Sequence, residues 1–219
     1  MKIMIATPCL AKQDTPFVQS LFAMLINPIR GAEMQMYFSE GSLTYDSRNR
    51  IADDAIKGNF DRVLWVDSDM VFDPSVIHRL NARLDEGREF VAALAFRRKP
   101  PYKPVIYSDM GIIKDEAGRE KPYLTTYEPY PKDQLFEIAG AGFGCVMTSV
   151  KLLEDCRDKF GLPFSPRLGF GEDVTFCLEC RDLGRKMYCD SSVKVGHIGT
   201  IIVNEEVYNA QVQHNNTGT

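Results

Sequence analysis

Residues 2–96 alternate four short apolar runs with three amphipathic stretches, and no other feature of the chain restricts its fold as tightly. "KIMIATP" (2–8) is a continuous apolar run of the kind that forms a strand buried on both faces. "EMQMYFSEG" (33–41) alternates Met34, Met36 and Phe38 against Gln35 and Tyr37, "RVLWV" (62–66) is a third strand and "EFVAALAF" (89–96) a fourth. Between them, residues 14–26 read as a helix with Asp14 or Thr15 as cap and Pro16 in the first turn. Residues 45–59 place Ile51, Ala52, Ala55 and Ile56 on one stripe and stop at Gly58. Residues 73–87 carry Asp73 as cap, Val76, Ile77, Leu80 and Leu84 inward, and Gly87 beyond the end. A βαβαβαβ rhythm of this kind implies an α/β fold with a mostly parallel, doubly wound sheet and right-handed crossovers.

The rhythm breaks at "RRKPPYKP" (97–104), a basic, proline-rich loop, and residues 105–150 read as hairpins and loops. Regularity returns with a strand leading into a helix over 142–156, a helix over 171–184 and one or two strands over 186–197, followed by a polar tail. No repeat or linker divides the chain, so one domain spanning 1–219 is expected. The net charge of −4 argues against a nucleic-acid partner, no apolar run approaches the roughly 18 residues of a membrane span, and "KIMIATP" reads as a strand rather than a signal peptide. A cytoplasmic protein with six reduced cysteines is the expectation. The Asn215–Thr217 glycosylation pattern is an isolated match in the tail.

In open parallel sheets ligands sit at the carboxyl ends of the strands. Those ends carry Thr7-Pro8, Ser39-Glu40, Asp67-Ser68-Asp69 and Arg97-Arg98. Side chains two apart on an extended strand are roughly 6.6 Å apart, too wide for two carboxylates on one ion. A turn after Val66 fans them, so that one can ligate a divalent cation and the other a sugar hydroxyl or a metal-bound water. The plainer alternative is that both aspartates punctuate a turn. Of the three histidines, His78 reads as a surface or packing residue and His214 lies in the tail. His197, at a strand end between glycines, is the candidate third ligand. A mixed Asp/His set suits Mn²⁺, with Mg²⁺ as the alternative. Glu172 and Asp173 fall at a helix N-terminus, as stabilisers of the macrodipole or as a general base. Arg48, in a helix-opening "DSRNR", is either a nucleotide contact or part of a solvated face, and "FRRKPPYK" offers cations to a diphosphate.

Three segments together resemble the GT-A-fold glycosyltransferases: "DSRNRIADDAIKGNFDRVLWVDSDM", "GAGFGCVMTSVKLLED" and "GFGEDVTFCLECRDLGRKMYCDSSVKVGHIG". The likeness covers about residues 2–98 and 138–200 and is close in style to small single-domain enzymes of phages and large viruses. It implies a Rossmann-like sheet flanked by helices, with a nucleotide-sugar half (1–98) and a smaller, irregular acceptor half (99–219). It also implies a sugar transfer from a nucleoside diphosphate sugar, UDP-linked first, to a hydroxyl of a glycan or protein-linked glycan. On that likeness Thr7 and Pro8 frame the base, Arg48 meets the base or diphosphate, and Asp67 with Ser68 meets the ribose or a metal water. Asp67, Asp69 and His197 form the metal set, with Asp69 as the direct carboxylate ligand and His197 completing the protein ligands. Asp173 deprotonates the acceptor, with Glu172 as competitor and inversion ahead of retention. One departure stands out: inverting members often carry a further Asp after the second strand, where this chain has Ser39-Glu40-Gly41. Rival readings are a nucleotidyltransferase using Asp67 and Asp69, a zinc module built from Cys177, Cys180, Cys189 and His197, and a non-catalytic sugar-binding module.

Overall fold

In the computed structural model, which describes residues 1–10, 12–199 and 202–217, the first half alternates as the pattern demands. The order is β1 (Lys2–Cys9), α1 (Thr15–Leu25), β2 (Glu33–Glu40), α2 (Thr44–Lys57), β3 (Arg62–Val66), β4 (Met70–Phe72), α3 (Val76–Asp85) and β5 (Phe90–Leu94). The second half adds β6 (Ile106–Lys114), β7 (Glu120–Thr126), β8 (Leu135–Ile138), β9 (Gly140–Ala141), β10 (Cys145–Ser149) and α4 (Val150–Phe160). It ends with α5 (Glu172–Asp182), β11 (Met187–Ile198), β12 (Ile202–Val203) and α6 (Glu205–Thr217). The side chains of Gln211 and of residues 214–217, including His214 and the glycosylation pattern, lie outside the described set.

The protein is mixed α/β with a large, mostly parallel central sheet, ordered β12-β11-β5-β10-β3-β1-β2. The period-2 side-chain alternation explains why its central strands are apolar without a break. Met4, Ala6, Val63 and Trp65 point to one face, with α2, α4 and α5. Ile3, Ile5, Leu64 and Val66 point to the other, beside Phe17 and Met24 of α1 and Ile77 and Leu80 of α3. On the first face Trp65, Phe143, Phe164 and Phe176 interlock edge to face or stacked at 4.8–5.9 Å. The Trp65 indole donates to Thr148 Oγ1 at 2.9 Å and pins β3 to β10.

Several features depart from the sequence-based reading. β10 enters between β3 and β5, antiparallel to both, so the four early strands are not consecutive neighbours. β3 gives way to a turn and then to β4, and α3 begins at Val76; Asp73 instead accepts the amide and hydroxyl of Ser75 in a local turn. The tail forms α6, because Tyr208 stacks on Phe96 at 4.8 Å and donates its hydroxyl to Glu128. No helix among the described residues is long and apolar enough to cross a membrane.

Candidate functional site

The turn after β3 is locked by its neighbours. The Asp67 amide donates to Gly144 O and the Met70 amide closes the turn on Asp67 O. β4 then pairs antiparallel with β11, with Met70 opposite His197. The Ile198 amide donates to Asp69 O at 2.7 Å. Backbone register thus carries a residue from position 197 to one at position 69.

Side chains complete the join. His197 Nε2 lies 3.1 Å from Asp69 Oδ2, and His197 Nδ1 lies 2.9 Å from Phe96 O. Burial alone would push His197 down and Asp69 up; their contact outweighs it, leaving His197 raised and Asp69 lowered. Arg98 reaches the same oxygen, Nη1 to Asp69 Oδ2, at 2.6 Å. Asp67 faces elsewhere, with Oδ1 accepting from Arg48 Nη2 at 2.8 Å, while Arg48 Nη1 donates to Glu172 Oε1 at 3.0 Å. Burial holds the Asp67 carboxyl above its ordinary range against the pull of Arg48.

Asp67, Asp69, Arg98 and His197 border a cleft of about 400 Å³. Pro8, Leu10, Gly41 and Ser47 are among the other residues that line it, with Ser68 between the two aspartates. A Cβ at Gly41 would stand 2.7 Å from Arg50 Nη2 and 2.8 Å from Ser47 Oγ, both ends of side chains free to shift, so the position is crowded without demanding glycine.

The structure therefore brings Pro8, Asp67, Ser68, Asp69 and His197 to one cleft. It does not bring Thr7 or Arg48 there. Thr7 is fully buried, its hydroxyl without a partner among the described residues. Arg48, 3% exposed, is held by two carboxylates and lies over the Phe143 ring at 5.1 Å, so it is neither a solvated cation nor an open nucleotide contact. A charged pattern at a helix start does not reveal that its charge is neutralised by residues 67 and 172. Arg98 is the individual residue the sequence left unassigned within a loop already marked as basic.

Glu172 and Asp173 open α5 outside the cleft lining, joined to it through Arg48. Asp173 Oδ1 accepts the Val174 amide at 2.7 Å, and Oδ2 would lie 3.4 Å from a Cβ at Gly142. Burial raises the Asp173 carboxyl, Arg48 opposes that, and Glu172 adds to it. His78 is at the surface on Asn27 O. The zinc set does not assemble. Cys177, Cys180 and Cys189 belong to the apolar core, His197 is turned to Asp69, and no group of three ligating side chains suited to a metal converges among the described residues.

Two donors of the proposed metal set nevertheless fit an ion. Ligands at about 2.1 Å and at right angles lie about 3.0 Å apart, close to the Asp69–His197 separation. Phe96 O can only accept, so Nδ1 carries a proton, and Nε2, which here donates to Asp69, is the nitrogen that a metal would take on displacing that proton. Asp67 is bound to Arg48 and is not a third direct ligand in this arrangement.

No family model and no curated protein matches the chain. Among solved structures it is similar to the crystal structure of A197 from STIV, with 18% identity, a TM-score of 0.60, and coverage of 91% of this chain and 86% of that one. At that identity the likeness establishes a shared fold.

Proposed function

We propose that the protein is a GT-A-type, divalent-metal-dependent glycosyltransferase that moves a sugar from a nucleoside diphosphate sugar, UDP-linked first, to a glycan or protein-linked glycan hydroxyl. The observation that carries this reading is the Asp69–His197 pair, joined across 128 positions at the carboxyl end of β3 and opening on a cleft. A ligand there would meet the strand ends that bind nucleotides in open sheets.

Asp69 and His197 would hold the metal, with Asp67 and Ser68 placed to accept or donate at ribose hydroxyls or metal-bound water. When bound, Mn²⁺ supplies positive charge to the departing diphosphate without a proton transfer. Arg98, half exposed, paired to the same Asp69 oxygen and lining the cleft, would add a cation on the diphosphate side. Pro8 and Leu10, apolar side chains of the cleft lining, would pack against the base. For an inverting transfer, the acceptor oxygen attacks the anomeric carbon, the bond to the diphosphate breaks, and the hydroxyl proton passes to Asp173. Asp173 suits this better than Glu172, because Glu172 is already bound to Arg48 and burial keeps the Asp173 carboxyl raised and hence more basic.

The test is consumption of nucleoside diphosphate sugars, read as release of the free diphosphate in the presence of Mn²⁺. Turnover of one donor that disappears in Asp69→Ala supports the reading. A folded protein that consumes no uridine, guanosine, thymidine or cytidine sugar overturns it.

A further inference from the structure

Glu179 lies on α5, seven residues after Glu172, hence on the same side of the helix and about 10 Å further along its axis. It is 6% exposed, and its Oε2 has no hydrogen-bond partner among the described residues. A buried carboxyl oxygen left unpaired costs free energy unless a ligand or water supplies a donor. Glu179 lines two adjoining clefts, of about 230 and about 320 Å³, which also share Thr175 and Arg167.

The surroundings restrict what fits. Arg167 is exposed, and its guanidinium makes no hydrogen bond or ion pair among the described residues; Glu179 feels its charge. Among the described residues the Arg181 guanidinium donates only to Met110 O, at 2.7 Å, and it lines both the smaller cleft and a third one, of about 390 Å³, that includes Tyr127. Phe170 and Leu162 supply apolar wall. A phosphate offers acceptors alone and meets Glu179 and Asp182; an ammonium offers donors alone and meets two arginines. A neutral ring of hydroxyls answers all of these. Each hydroxyl both donates to a carboxyl and accepts from a guanidinium, and the C–H face covers the apolar side chains. Because neighbouring clefts share side chains, the ligand is longer than one ring.

We propose that Glu179, Arg167 and Arg181 form a groove for a neutral oligosaccharide, separate from the donor cleft. The choice of a saccharide rests in part on the transferase reading, for which this groove would grip the acceptor glycan away from the reacting hydroxyl. The test is saturation-transfer NMR on the full chain, without nucleotide, using neutral tri- and tetrasaccharides of glucose, galactose, mannose and xylose. Inorganic phosphate and ammonium serve as comparison probes. The expected result is saturable binding of at least one oligosaccharide, weakened about tenfold in Arg167→Ala and at least fivefold in Glu179→Gln, both melting as cooperatively as wild type. No saturable saccharide binding, equal binding by both variants, or displacement of the saccharide by phosphate overturns the groove. Saccharide binding without turnover of any nucleotide sugar sinks the transferase reading and leaves the groove. Turnover without saccharide binding sinks the groove alone.

Discussion

Replacing Arg48 by Met tests whether this residue is part of the framework or a contact for ligand. The methionine keeps the apolar stem over Phe143 and removes two charged hydrogen bonds, of 2.8 Å to Asp67 and 3.0 Å to Glu172. Both carboxylates are mostly buried, with 31% and 17% of their side-chain surface exposed, and each loses its counter-charge. Breaking a buried pair by deleting one partner costs about 3–5 kcal/mol. For a chain of this size that lowers the melting temperature by roughly 10 °C. Urea unfolding followed by circular dichroism at pH 7 reads the loss directly. The triple variant Arg48→Met, Asp67→Asn, Glu172→Gln should recover at least half of it, because no unpaired charge remains. The deficit of the single variant should shrink in acid, where the Asp67 carboxylate, already raised by burial, takes up a proton. A single variant within about 1 kcal/mol of wild type that has lost nucleotide affinity would refute the framework role and restore Arg48 as a ligand contact.

Other expectations follow from the same geometry. Asp173→Asn should lower kcat at least a hundredfold with little change in donor KM, and the acid limb of the wild-type pH profile should lie above the ordinary aspartate range, since burial raises that carboxyl. Burial lifts Glu179 to about 7, above its ordinary 4.5, so folding favours the protonated form. The stability this contributes is full below pH 4.5 and lost by about pH 7, a fall of about 3 kcal/mol that Glu179→Gln should remove from the stability–pH curve. Of the six cysteines, five are buried, and burial pushes the Cys145 and Cys177 thiols to about 12. Native protein should therefore show one thiol, Cys9, reacting readily with Ellman's reagent, and six after denaturation.

Much of the framework was readable because local chemistry and global packing agree. β1 is apolar from Ile3 to Ala6 and β3 from Val63 to Val66, the residues packed into the two helix layers, and the stripe on α2 matches its buried side. The convergence of Asp69 and His197 followed from the rule that ligand residues gather at strand ends, although only the β4–β11 register supplies the contact. Other features were hidden for identifiable reasons. "CVMTS" announces a strand, but nothing in it states that its partners are β3 and β5 or that it runs against them. α6 looked like a polar tail because its burial depends chiefly on Tyr208 meeting Phe96, more than a hundred residues earlier. "DSRNR" read as a nucleotide contact or a solvated face because the acids that neutralise Arg48 are distant in sequence.

Calorimetric titration of UDP into the protein, with and without Mn²⁺, addresses the donor site most directly when wild type is compared with His197→Ala. Wild type should bind UDP at least tenfold more tightly with Mn²⁺, and His197→Ala, still folded, should show no such gain. Equal affinity of wild type with and without the metal, or a gain that survives loss of His197, would contradict a metal-held diphosphate at this sheet edge.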